Sequence, residues 1–82
     1  MKPYQASIPE QTDFPIRAYT KKELALCYFP NADPHVATNR LTQWVKRCTE
    51  LWTELLQTGY QPTQKMWTAR QVRAIIYYLG EP

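Results

Sequence analysis

Eighty-two residues suffice for one domain, and a domain of this size buries only about 60–65% of the surface its unfolded chain exposes. A few large side chains must therefore carry the core, and three Trp, six Tyr and two Phe supply them. Two cysteines are too few for a disulfide-stapled secreted scaffold, which leaves Cys27 and Cys48 as free thiols on apolar helical faces. The net charge of +3 is mild but unevenly placed. Between positions 17 and 48, Arg17, Lys21, Lys22, Arg40, Lys46 and Arg47 face only Glu23 and Asp33. Further on, Lys65, Arg70 and Arg73 are balanced by Glu50, Glu54 and Glu81. A basic half beside a neutral half suits an anionic partner at one face, and equally suits an ordinary solvated surface.

In chain order, residues 1–16 read as a flexible arm, being polar and punctuated by Pro3, Pro9 and Pro15. The stretch 1–15 has no apolar run of signal-peptide length, and no segment approaches a membrane span, so the expected location is the cytoplasm. Thr20 with Glu23 forms a capping box, with Tyr19 and Leu24 placed for a hydrophobic staple. The helix so opened runs over 21–28 and stops before Pro30. Asp33-Pro34 signals the next start, a cap followed by a proline at the first helical position. Ala37, Leu41, Trp44, Val45 and Cys48 then recur at three- and four-residue spacing, one buried stripe of an amphipathic helix. The stripe continues through Leu51, Trp52, Leu55 and Leu56, so 34–58 reads as one helix or two, with Thr49-Glu50 favouring a break near Cys48. Gly59 suits the position past a helix end. The stretch 60–67 reads as a loop or short hairpin, after which Thr68 and Gln71 form a second capping box with Trp67 and Val72 as its staple. Val72, Ile75, Ile76 and Leu79 line one helical face, and Gly80 closes it.

No catalytic or metal-binding pattern is found. Ser7 lies in the arm, Cys27 sits on an apolar face where a thiolate is disfavoured, and His35 is the single histidine. Cys27, Asp33, His35 and Cys48 lack the close paired spacing of structural zinc sites. Glu50 and Glu54, one turn apart, read as a solvated face. Both glycines stop helices, so neither is available for a phosphate-cradling loop. The expectation is a non-enzyme without cofactor or metal.

Two functional readings stand side by side. In the first, 19–47 is helix-turn-helix-like and binds duplex DNA, with helix 34–47 as the reading element. Burying Trp44 turns Asn39 and Gln43 outward one above the other, and such amides pair bidentately with adenine, while Arg40, Lys46 and Arg47 serve guanine or phosphate. Lys21 and Lys22 occupy the first turn of the preceding helix, where backbone N–H groups favour a phosphate. In the second reading the chain is a non-catalytic protein-interaction module, a homodimer or the binder of another protein, using Trp67, Tyr77 and Tyr78 as rings surplus to one small core.

The runs "YTKKELALCYFPNADPHVATNRLTQWVKRC", "LLQTGY" and "WTARQVRAIIYYLGEP" resemble a family of short uncharacterised proteins of Bacteroides-type bacteria, domain of unknown function 4248. The likeness covers roughly residues 16–82. It implies a small cytoplasmic bacterial protein, mostly helical, without assigned activity or site, and compatible with a homodimer. A shorter likeness, "YTKKELA", is similar to the opening helix of MerR-like and excisionase-like DNA-binding domains, which have a glycine-containing turn where this chain has "FPNADP". The architecture expected is all-α: a single helical domain over 17–82, with three to four short helices around one small core. Leu24, Leu41, Trp44, Leu55, Val72, Ile75, Ile76 and Leu79 are its expected members.

Overall fold

The computed structural model of the chain describes residues 14–82. Most of the expected arm, residues 1–13 with Ser7, lies outside the described residues. The elements are β1 (Tyr19–Thr20), α1 (Lys21–Tyr28), α2 (Pro34–Arg47), α3 (Thr49–Gln57), β2 (Met66–Trp67) and α4 (Ala69–Leu79). The all-α expectation holds apart from one small ribbon, in which β1 pairs antiparallel with β2, Tyr19 opposite Trp67 and Thr20 opposite Met66. Lys21 N extends the ladder by donating to Lys65 O at 3.1 Å. No hairpin forms within 60–67; its end pairs with a strand more than forty residues earlier in the chain.

Local chemistry sets the helix starts. Thr20 Oγ1 accepts from Glu23 N at 3.0 Å while Glu23 Oε1 accepts from Thr20 N at 3.0 Å, so the first capping box is closed. Thr68 and Gln71 repeat the arrangement at α4, and Asp33 Oδ1 accepts from His35 N at 2.9 Å to cap α2. Each cap satisfies one of the first-turn N–H groups that have no partner within the helix. The helices stop where expected: Gly59 and Gly80 both take positive φ, 87° and 88°, a conformation that costs glycine nothing.

Between α2 and α3 the chain breaks at Cys48, whose extended ψ of 97° ends one helix and starts the next without a side-chain cap. The break changes which residues point inward. A straight helix would carry the buried line from Val45 to Trp52, seven residues on. The structure instead buries Leu51 and Leu55 and leaves Trp52 half-buried and Leu56 exposed.

The core joins Leu24 and Ala25 of α1, Ala37, Leu41 and Val45 of α2, Leu51 and Leu55 of α3, and Val72, Ala74, Ile75 and Ile76 of α4. Leu79 packs on its margin. Trp44, expected inside, is 42% exposed. The stripe is centred on the four-residue row Ala37–Leu41–Val45, so Trp44 falls on its rim and lies edge-on against Phe29 (4.8 Å between centroids) and Tyr28 (6.4 Å). Trp67 shows the reverse. Offered by the sequence as an interface ring, it is only 1% exposed, because pairing with Tyr19 turns it inward, stacked on Tyr60 at 5.1 Å, with Trp52 edge-on to that Tyr60 at 5.5 Å. Order also begins earlier than residue 17: Phe14 stacks on Tyr19 at 5.3 Å, Ile16 packs against the core, and Tyr19 Oη donates to Pro15 O at 2.8 Å.

Gln71 is 2% exposed. Its Oε1 accepts from Thr68 N at 3.0 Å and Gln64 Nε2 at 2.8 Å, and its Nε2 donates to Thr58 Oγ1 at 3.0 Å. Tyr28 Oη donates to Gly80 O at 2.5 Å, tying the end of α4 to α1. Burial, then Cys27 and Glu81, push the Tyr28 phenol well above its ordinary value. Burial and the bond to Glu54 Oε1 at 3.2 Å raise Tyr78.

Two outcomes are expected. Gln71→Leu removes three hydrogen bonds and orphans a capping N–H, which should lower unfolding stability in urea by about 2–3 kcal/mol; a loss below about 0.5 kcal/mol contradicts the tie. Tyr28 and Tyr78 have folded pKa values above the unfolded value of about 10, so their stabilisation is complete below that pH and is lost as pH rises toward the folded values. Urea midpoints should therefore fall from pH 10 upward, and less steeply in Tyr28→Phe.

Candidate nucleic-acid interface

The outer face of α2 follows from the row it buries. With Ala37, Leu41 and Val45 inward, His35, Asn39, Gln43 and Lys46 face solvent together with Val36, Arg40, Trp44 and Arg47. At about 100° per residue, Asn39 and Gln43 lie on the outermost line, with Lys46 to one side and Arg40 and Arg47 to the other. The two threonines of the helix are used locally: Thr38 Oγ1 donates to Pro34 O at 2.8 Å and Thr42 Oγ1 to Thr38 O at 2.9 Å. Asn39 Nδ2 lies 3.4 Å from His35 Nε2, a contact whose direction depends on the imidazole tautomer. Gln43 projects one turn further on.

Aromatic rings hold the flanking cations in loose order. The Arg40 guanidinium stands 5.9 Å from the Phe29 ring and the Lys46 ammonium 5.9 Å from that of Trp52, near the outer limit of a useful cation–π contact. Lys21 is more firmly placed. Its ammonium donates to Tyr60 Oη at 3.0 Å and Pro62 O at 3.1 Å, and it stands 4.9 and 5.2 Å from the Tyr60 and Trp67 rings. Lys22, beside it, is exposed. Lys21 thus acts as a fixed charge at the start of α1, with the exposed Lys22 beside it.

The structure brings Asn39, Arg40, Gln43, Lys46 and Arg47 together on one helix, and Lys21 and Lys22 share a cleft with His35 and Thr38 of its first turns. It does not bring together the three proposed interface rings. Trp67 is buried, while Tyr77 and Tyr78 are half-buried and edge-on to each other at 5.0 Å, with Tyr78 bonded to Glu54. Sequence reasoning missed the exposed apolar side chains of this surface, Val36 and Trp44; Val36 lines an open cleft of about 500 Å³ with Phe29 and Arg40. The signal was available: Val45 competes with Trp44 for the buried row, and only one of two adjacent residues can occupy it.

Among the described residues no group of three or more His, Cys, Asp or Glu is placed to hold a metal ion. No helix among them is long and apolar enough to cross a membrane. Cys27 and Cys48 are free and half-buried.

The chain is thus a mainly helical domain in which two capped helices, α1 and α4, start from opposite strands of a short antiparallel ribbon. It belongs to the family described as Domain of unknown function (DUF4248), whose model matches residues 15–82. No curated protein and no solved structure matches it significantly.

The placement of the tryptophans predicts their response to solvent and to truncation. Acrylamide should quench one readily accessible component that Trp44→Phe removes. Trp44→Ala should cost no more than about 1 kcal/mol, whereas Trp67→Ala should cost about 3–5 kcal/mol in urea unfolding; equal losses would contradict the exposures seen here.

Proposed function

We propose that the protein is a non-catalytic duplex-DNA-binding domain, with the outer face of α2 as the reading element. One observation carries the reading: Asn39 and Gln43 stand on the outermost line of a rigid fourteen-residue helix, bracketed by Arg40, Lys46 and Arg47. An α-helix fits the major groove, where amides match adenine and cations serve guanine or phosphate. The rod is well anchored: capped at Asp33, packed along α1, and buried on Ala37, Leu41 and Val45. α1 followed by α2 has the order of a helix-turn-helix unit, with a linker, 29–33, that is longer than the usual turn.

A second reading is a protein-interaction module. It is supported by the exposed Trp44 and Val36 rather than by Tyr77 and Tyr78. A homodimer through this patch would appear as a concentration-dependent mass in sedimentation, and Trp44→Ala should dissolve it.

The decisive experiment is fluorescence anisotropy with mixed-sequence duplex at low ionic strength. Salt-dependent binding is expected. Arg40→Glu, Lys46→Glu and Arg47→Glu combined should weaken it at least about 100-fold with unchanged far-UV circular dichroism. Asn39→Ala with Gln43→Ala should flatten sequence preference, each lost bidentate pair being worth about 1–3 kcal/mol of discrimination. Absence of salt-dependent binding by the wild-type chain rules the proposal out.

A further inference from the structure

The β1–β2 pairing assembles a second basic surface. Thr20 opposite Met66, with Lys21 N bonded to Lys65 O, brings the start of α1 against the loop before β2. Lys21, Lys22, Lys65, His35, Thr38 and Gln64 help to line an open cleft of about 500 Å³ there. Among the described residues no carboxylate lines it. Three lysines from two distant segments thus line one concavity, an arrangement that favours an anion. The Lys21 ammonium cannot swing away, because Tyr60 Oη and Pro62 O hold it at 3.0 and 3.1 Å. Thr38 and Gln64 have already committed their donors, to Pro34 O and to Met66 O and Gln71 Oε1, which leaves the exposed Lys22 and Lys65, with the His35 ring, as the side chains to meet an anion.

We infer that this cleft is a phosphate seat, in which Lys22 and Lys65 close on a phosphate group in front of the fixed charge of Lys21. His35 lines the cleft and also touches Asn39, so the seat adjoins the N-terminal end of the reading face. On the DNA reading above, the phosphate belongs to the backbone of the same duplex, and the seat sets register without reading bases. That source rests on the proposed function; the seat itself does not.

Two titrations of the full chain separate the two. The first follows amide NMR signals during addition of inorganic phosphate, against chloride at matched ionic strength. Shifts at Lys21, Lys22, His35 and Lys65 are expected, and Lys22→Gln with Lys65→Gln should remove them. The second measures duplex affinity against salt. The double variant should bind every sequence more weakly by a similar factor, and the slope of log affinity on log salt should fall by about one per lysine. If duplex binds, the double variant keeps the wild-type slope and phosphate moves no cleft signal, the inference is overturned and the α2 reading survives. If phosphate shifts the cleft signals while duplex does not bind, the seat stands with free phosphate as its ligand and the DNA reading falls. If neither ligand acts at the cleft, the seat is wrong. Both lysines are exposed, so the variants should keep the fold, as circular dichroism will check.

Discussion

At the side-chain amide of Gln71 the end of α3, the loop before β2, the cap of α4 and the core all meet. A carboxylate could accept from Thr68 and Gln64 but could not donate to Thr58; a hydroxyl could not reach all three. The amide does both without bringing charge inside, so a polar side chain can be almost wholly enclosed. Gln64 passes the order along, its Nε2 to Met66 O at 2.6 Å and its Oε1 accepting from Gln61 N at 3.1 Å. A polar loop that would otherwise wander is thereby laid against α4, and Met66 and Trp67 are delivered extended, opposite Tyr19 and Thr20. Everything that the ribbon juxtaposes, including Lys21 beside Lys65, follows from that placement.

What was legible in the sequence is what short-range chemistry decides. Thr20-x-x-Glu23 and Thr68-x-x-Gln71 close their own rings of hydrogen bonds within four residues, Asp33 caps the helix it precedes, and Gly59 and Gly80 relieve a steric restriction at their own positions. Each can be read without knowing where the rest of the chain goes. The β1–β2 pairing could not, since three helices separate Tyr19 from Trp67 along the chain. The two tryptophans exchanged roles for the same reason. Periodicity defines a stripe about two residues wide, and whether Trp44 or Val45 occupies its centre depends on how close α1 approaches Ala37 and Leu41. Trp67 reads as a surplus ring until Tyr60 and Tyr19 are known to enclose it. Gln71 was legible as a cap, but its two further bonds, to Gln64 and Thr58, were not.

The outcome for α2 is a surface divided lengthwise. One flank carries Val36, Arg40 and Trp44, the centre carries Asn39 and Gln43, and the other flank carries His35 and Lys46. Trp44 has a structural task despite its exposure, because its ring covers Tyr28 and Phe29 where α1 ends and the linker begins. An exposed aromatic with such a task is weaker support for a protein partner than one standing free. The central amides have no comparable duty, apart from the contact of Asn39 with His35. Side chains that the fold does not use are the better guide to an external ligand.

A net charge of only +3 understates the field at this face, because of where the carboxylates go. Glu23 and Asp33 lie at the N-termini of α1 and α2, where they accept backbone N–H groups and oppose the positive helix ends, and Glu54 accepts from Tyr78. Their charge is spent largely on the molecule's own dipoles rather than on its cations. Arg40, Lys46 and Arg47 span about two turns, roughly 10 Å, comparable to the screening length at about 0.1 M salt. An approaching polyanion therefore meets them as one patch. Capping and surface charge are thus one distribution: carboxylates at Glu23 and Asp33 serve helix starts, and cations gather on the outer face of the helix that Asp33 starts.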